Sequence, residues 1–184
     1  PLFRPLPIPP PEGDRVPAGV PSVVLEHPHI YELLPLPADL AVLLQQTQQR
    51  TCRRCNTLPP TYSVCLFCGD MLCEQSYCCS DPDDEEARGE CNQHMEQCGG
   101  QVGAHFRVGS NAVVLMYENN GMFASSPYLN SHGEVDRFLL KARPQRLSVQ
   151  RYDGLRKQWL QHGIASTVAR KIESSMDQGG WGTL

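Results

Sequence analysis

Cys52-Arg-Arg-Cys55 and Cys65-Leu-Phe-Cys68-Gly69 are two C-x2-C pairs separated by nine residues, and Cys91-Asn-Gln-His94 followed by Cys98 supplies three further donors. Cys73, Cys78 and Cys79 lie between, so all nine cysteines of the 184-residue chain fall within 52–98. Two residues between thiolates let a tight turn aim both sulfurs at one ion. A glycine after the second cysteine lets the backbone fold round until its N–H groups reach sulfur. Thiolate and imidazole donors in four-fold geometry select zinc over calcium or magnesium.

The competing chemistries fit less well. An odd cysteine count and the lack of any N-x-[ST] acceptor argue against a secreted disulfide framework, and in a reducing compartment clustered thiols hold metal or do redox work. A thioredoxin-like redox pair needs a βαβ setting with a reactive cysteine at a helix start, and neither appears. A set that mixes histidine with separated pairs disfavours an iron–sulfur cluster. Structural zinc, about two ions, is the expectation.

Nine thiols and His94 make ten donors, whereas two closed zinc sites need eight. The economical grouping joins Cys65 and Cys68 to two of Cys91, His94 and Cys98. It joins Cys52 and Cys55 to one of Cys73, Cys78 and Cys79 plus the remaining later donor. Adjacent Cys78 and Cys79 point in different directions, so at most one serves a given ion and the surplus falls among Cys73, Cys78 and Cys79. The candidate ligands are Cys52, Cys55, Cys65, Cys68, Cys73, Cys79, Cys91, His94 and Cys98. His105 sits in a strand pattern and reads as a satisfied strand histidine.

No catalytic residue is expected. Ser125, Ser126, His132 and Asp136 hold the residue types of a hydrolase triad, yet no nucleophile elbow precedes a helix, and a polar turn is the better reading. A catalytic zinc would need three ligands, an open position and a base of the H-x-E or H-E-x-x-H kind, and neither motif occurs. A RING finger fails on order, since the chain closes on C-x2-H-x3-C without the Cys-x-His step.

The elements that must position these donors can be read in outline. Residues 1–29 form a proline-rich arm or linker, with eight of sixteen prolines in the first 21 residues. From 30 to 184 the composition is globular. Leu40, Val42, Leu43 and Leu44 after Pro37-Ala38-Asp39 read as a short helix ending near Arg50. The cysteine module, 52–98, is interrupted by an acidic stretch from Asp81 to Glu90, read as a solvated loop. Residues 99–130 alternate and carry turn residues, which predicts an antiparallel meander of two or three strands. Residues 145–175 are helical: Tyr152, Leu155 and Trp159 share a face of a helix that Gly163 can end, and Ile164, Val168 and Ile172 share the face of the next. Trp181 is expected to dock on the domain. The fold class is therefore α+β, a small zinc-stabilised module with a short meander and C-terminal helices.

Composition bounds the partners. Hydrophobic content of 40% and a net charge of −4 describe an ordinary soluble protein, not a strongly basic nucleic-acid binder. Nine Lys/Arg against four acids between Gly133 and Glu173 leave a basic surface, but aromatics are not interleaved with it. No apolar run approaches a membrane span and no signal-like start is visible, so the expected location is cytoplasmic, or cytoplasmic and nuclear.

Leu36-Pro37-Ala38-Asp39, Cys65 to Cys79, Cys91-Asn-Gln-His94-Met-Glu-Gln-Cys98-Gly99, Ser126-Pro127-Tyr128-Leu129, Gly133-Glu134-Val135-Asp136, Trp159-Leu-Gln-His162 and the terminal Trp181 and Leu184 occur in an order and spacing that resembles the C-terminal domain of the UBR-box ubiquitin ligases, the N-recognin family. The resemblance implies a zinc-binding cap that packs in cis on the RING and helical core of a large ligase in the protein-degradation pathway. A ubiquitin-conjugating enzyme would be met only through that upstream RING. Protein substrates or peptides are the alternative partners, and the segment itself would be non-catalytic. It carries Cys52, Cys65, Cys68, Cys73, Cys78, Cys79, Cys91, His94 and Cys98 onto matching positions. Cys55 departs from the better-known members and is more similar to a divergent branch of the family.

Overall fold

The computed structural model describes residues 32–48, 50–74, 79, 88–141 and 143–177. The proline-rich arm, Cys78, the acidic stretch 81–87 and the Trp181 tail lie outside the described residues. The described residues belong to one compact unit, Tyr31–Leu184.

Helix α1 (Leu40–Gln48) begins where the Asp39 carboxylate accepts a hydrogen bond from the Ala41 N–H at 3.0 Å, an N-cap that satisfies one of the orphan donors of the first turn. Leu40 and Leu43 are buried, and Thr47 ties the helix to the sheet by meeting the Tyr62 hydroxyl at 3.1 Å. The helix stops at Gln48, close to the expected end near Arg50.

Five antiparallel strands follow: β1 (Tyr62–Cys65), β2 (Met71–Cys73), β3 (Val102–Arg107), β4 (Ala112–Tyr117) and β5 (Asn120–Ser125), in the spatial order β2-β1-β3-β4-β5. Three of them are the meander expected within 99–130. The other two come from inside the cysteine module, where the sequence reading placed no strands, and β1 pairs with β3 through Val64↔Phe106 and Cys65↔His105. The cysteine module is thus part of the sheet and not an appendage to it.

Side-chain alternation divides β3 between two layers. Ala104 and Phe106, paired with Leu115 and Val113, face a core completed by Leu33, Leu36, Ile164 and Val168. Gly103 and His105 face the other way, toward helix α2 (Glu90–Cys98). That approach is close: a Cβ on Gly103 would sit 3.2 Å from the Met95 side chain. The donors are carried on this second layer.

Past the sheet, β6 (Tyr128–Leu129) pairs with β7 (Arg146–Leu147), and helices α3 (Val149–Leu160) and α4 (Gly163–Asp177) are the last described elements. Asn111, with φ 47°, anchors the connection between: Ser126 Oγ donates to its Oδ1 at 2.6 Å, and its Nδ2 donates to the Asp136 carbonyl and Gln145 Oε1, each at 3.3 Å. Ser126 and Asp136 are therefore members of a buried scaffold network.

Ile164 and Val168 are buried on the α4 face as the periodicity requires. Gly163 does not end α3, as the sequence suggested, but opens α4. The left-handed residue of the link is His162, at φ 55°. A histidine in that conformation carries strain that glycine lacks. His162→Gly is expected to stabilise the domain by about 0.5–1 kcal/mol, read as a thermal midpoint raised by a few degrees. No rise would show that the side chain makes compensating contacts.

Candidate metal centre

The two C-x2-C pairs fold into turns of the same form. Gly69 N–H donates to the Cys65 carbonyl at 2.9 Å and Asn56 N–H to the Cys52 carbonyl at 2.8 Å. Gly69 has φ 83° and Asn56 φ 53°, so each turn places a residue tolerant of the left-handed region directly after its second cysteine. At the second turn the expected backbone-to-sulfur bond is present, with Asp70 N–H donating to Cys68 Sγ at 3.4 Å.

Two four-donor clusters result among the described residues. Cys52, Cys55, Cys73 and Cys79 form the first, and Cys65, Cys68, His94 and Cys98 the second, with the donor atoms of each set within 4.8 Å of one another. Thiolates on a tetrahedral ion at about 2.3 Å stand about 3.8 Å apart. Cys52 and Cys79 Sγ are 3.7 Å apart, Cys55 and Cys73 Sγ 3.5 Å, and Cys65 and Cys98 Sγ 4.0 Å, so the spacing already matches an ion of that size. Cys68 Sγ to His94 Nε2 is 3.3 Å. Each cluster could hold a metal ion with all four positions filled by protein.

The clusters are interleaved. Along the chain the donors run first pair to the first cluster, second pair to the second, Cys73 and Cys79 back to the first, His94 and Cys98 to the second. This differs from the grouping anticipated from spacing, which drew one later donor into the first cluster. Both Cys73 and Cys79 serve there, and Cys91 lies in neither cluster: its Sγ is 3.3 Å from Ser63 Oγ and 3.7 Å from the Cys73 carbonyl. Cys91, His94, Met95 and Cys98 share one face of α2 at helical spacing. The pattern that reads as metal-ligand spacing is equally a helix face packed on the sheet.

The cysteines whose acidity is perturbed are not all shifted the same way. Hydrogen bonds from Thr57 draw the Cys55 thiol down to about 6. Burial pushes Cys68 and Cys98 up to about 11, Cys91 up to about 12, and Cys65 upward. Burial also lowers His94, which keeps its imidazole neutral and able to donate a lone pair.

His105 is buried, as a strand histidine should be, but it is not satisfied. Among the described residues neither ring nitrogen has a hydrogen-bond partner, and burial together with the charge of His94 lowers it to about 3. The second turn is also held from outside: Phe67, between Cys65 and Cys68, stacks on Trp159 of α3 with ring centroids 4.3 Å apart. Gly99, next to Cys98, admits no side chain, since a Cβ would lie 2.1 Å from the Val102 carbonyl oxygen.

Comparison with known proteins gives this geometry a family. Residues 13–161 match the model of the Proteolysis_6 C-terminal family. The chain is 40% identical over 159 residues to the fission yeast "E3 ubiquitin-protein ligase ubr1", covering 86% of this chain and 8% of that protein. It is 33% identical over 148 residues to the human "E3 ubiquitin-protein ligase UBR2", covering 78% of this chain and 8% of the relative. The mouse "E3 ubiquitin-protein ligase UBR1" is 34% identical over 157 residues, 84% of this chain and 9% of the relative. The chain thus spans less than a tenth of the length of these curated relatives. It belongs to the Proteolysis_6 C-terminal family, as a C-terminal domain of the UBR type.

Proposed function

We propose that this chain is a zinc-held interaction domain of a ubiquitin ligase, packing on the rest of the ligase and regulating it without taking part in ubiquitin transfer. The observation that carries the reading is the closed character of both clusters, four protein donors each. A catalytic zinc keeps a position for water or substrate, while a closed site builds structure. The relatives, each named an E3 ubiquitin-protein ligase, supply the setting. A contact surface is available: Phe138 and Leu140 are 63% and 81% exposed, and Val149 on α3 is 69% exposed. Among the described residues no helix is long and apolar enough to cross a membrane.

The test is a pull-down between this domain and a ligase chain lacking it. Retention of the ligase supports the reading. Retention of substrate peptides without the ligase would replace it with a peptide-binding module, and ubiquitin discharge by the isolated domain would overturn the non-catalytic assignment.

The thiol acidities give a pH expectation. Metal binding must displace protons from thiols, so affinity falls on acidification in proportion to the protons displaced. In the second cluster Cys65, Cys68 and Cys98 are all raised, so they bind metal at pH 7–8 only by giving up protons. A Cys55→Ser variant, which keeps only the second cluster, should therefore bind more weakly at pH 7 than at pH 8. Equal affinity at the two pH values by chelator competition would contradict it.

A further inference from the structure

Arg53 and Arg54 are the two residues enclosed by Cys52 and Cys55, so their side chains leave the backbone at the first cluster. Both end at the second. Arg54 Nη1 donates to the Cys79 carbonyl at 2.9 Å, to Gln93 Oε1, and lies 3.5 Å from Glu90 Oε2. Cys79 is a donor of the first cluster, whereas Gln93 and Glu90 stand on the first turns of α2, which carries His94 and Cys98. Arg53 pairs with Asp70 Oδ2 at 3.1 Å, and Asp70 N–H reaches Cys68 Sγ. The Arg53 side chain is 82% exposed, so that pair contributes little. The Arg54 side chain is 39% exposed and its Glu90 partner 11%, and its Nη1 alone lies within reach of all three acceptors.

We propose that the two clusters form one coupled metal-binding unit in which Arg54 is the positioning residue, so that filling either cluster raises the affinity of the other. The proposal rests on the reading that both clusters hold metal. An ion in the first cluster fixes the Cys52–Cys55 turn and Cys79, and with them the base and one acceptor of the Arg54 side chain. The guanidinium then holds Gln93 and Glu90, which sets the start of α2 and the direction of His94, the residue after Gln93. The same chain of contacts runs backward from an ion in the second cluster, and the coupling of two binding equilibria is reciprocal by necessity. The Cys91 thiol, between Ser63 and the Cys73 carbonyl, packs α2 on the hairpin that contributes donors to both clusters.

The test is cobalt(II) titration of the metal-free chain, because a four-thiolate site and a three-thiolate, one-imidazole site have different absorption spectra. Chelator competition on the loaded protein gives the same constants without requiring the metal-free chain to fold. In the wild type the two spectra should grow together with little one-ion species. Arg54→Ala removes no donor, so two ions should still bind, with second-cluster affinity lowered about 10-fold, the lower end for loss of an outer-shell partner. In a Cys55→Ser background, where the first cluster is already broken, Arg54→Ala should have no further effect on the second. Independent filling in the wild type, or unchanged second-cluster affinity in Arg54→Ala, overturns the coupling and leaves the metal reading standing. Uptake of much less than one ion per chain overturns the metal reading itself.

Discussion

Replacing Cys52 or Cys65 by alanine should cost the protein one ion and strongly destabilise the layer that carries α2 and the β1–β2 hairpin, whereas Cys91→Ala should keep both ions and a native fold. Both ligands are fully buried. A structural zinc site contributes about 10–16 kcal/mol at neutral pH, which equals or exceeds the whole net stability of about 5–15 kcal/mol typical of a domain. Losing one of four donors removes much of that and leaves the other three donors without an ion. Cys91 is only half-buried, but desolvation pushes its thiol up to about 12, so it stays protonated and fills space with weak contacts to Ser63 and the Cys73 carbonyl. Its loss should cost about 1–2 kcal/mol. Metal content per chain and near-UV circular dichroism check both. A Cys91→Ala protein that lost an ion would show that Cys91 is a ligand.

Phe106→Ala is expected to destabilise the domain by about 3–5 kcal/mol, a large part of its stability, while leaving metal content unchanged in the fraction that folds. Phe106 is fully buried on β3, paired across the sheet with Val64 on one side and Val113 on the other. Its ring meets Tyr128 edge-on, with centroids 5.5 Å apart. These neighbours belong to three different elements, so none can move in alone to fill the void. Denaturant titration measures the loss. A change below about 1.5 kcal/mol would mean that this layer collapses around the gap and packs less rigidly than its burial implies.

The parts of this fold legible in sequence are those where one periodicity acts alone. Ile164, Val168 and Ile172 announced α4, and the alternation around Val113 and Leu115 announced the meander. The cysteine module carried two messages in the same letters. Tyr62–Cys65 and Met71–Cys73 are strands of four and three residues, too short for alternation to rise above the C-x2-C spacing. In α2 the Cys91, His94 and Cys98 spacing hid a helix face. The choice between Cys79 and a later donor for the first cluster depended on how the segment after β2 returns to the Cys52 turn, which no local pattern records. Gly163 misled because glycine after a helix usually marks its left-handed end, and here His162 takes that role one residue earlier. The Arg54 link was invisible for the same reason as the grouping: its partners lie 25 and 39 residues away in sequence.

The interleaved donors also set a timetable for biosynthesis. The last donor of the first cluster is Cys79 and of the second Cys98, while β3, which covers the open edge of β1, begins only at Val102. A chain emerging N-terminus first can therefore take its first ion before any partner for that edge exists. It completes its second site only with Cys98, a few residues before β3 follows. On the proposed metal reading, zinc uptake at the first cluster precedes the covering of that edge, so metal supply during synthesis is expected to bear on whether the edge pairs with a neighbouring nascent chain.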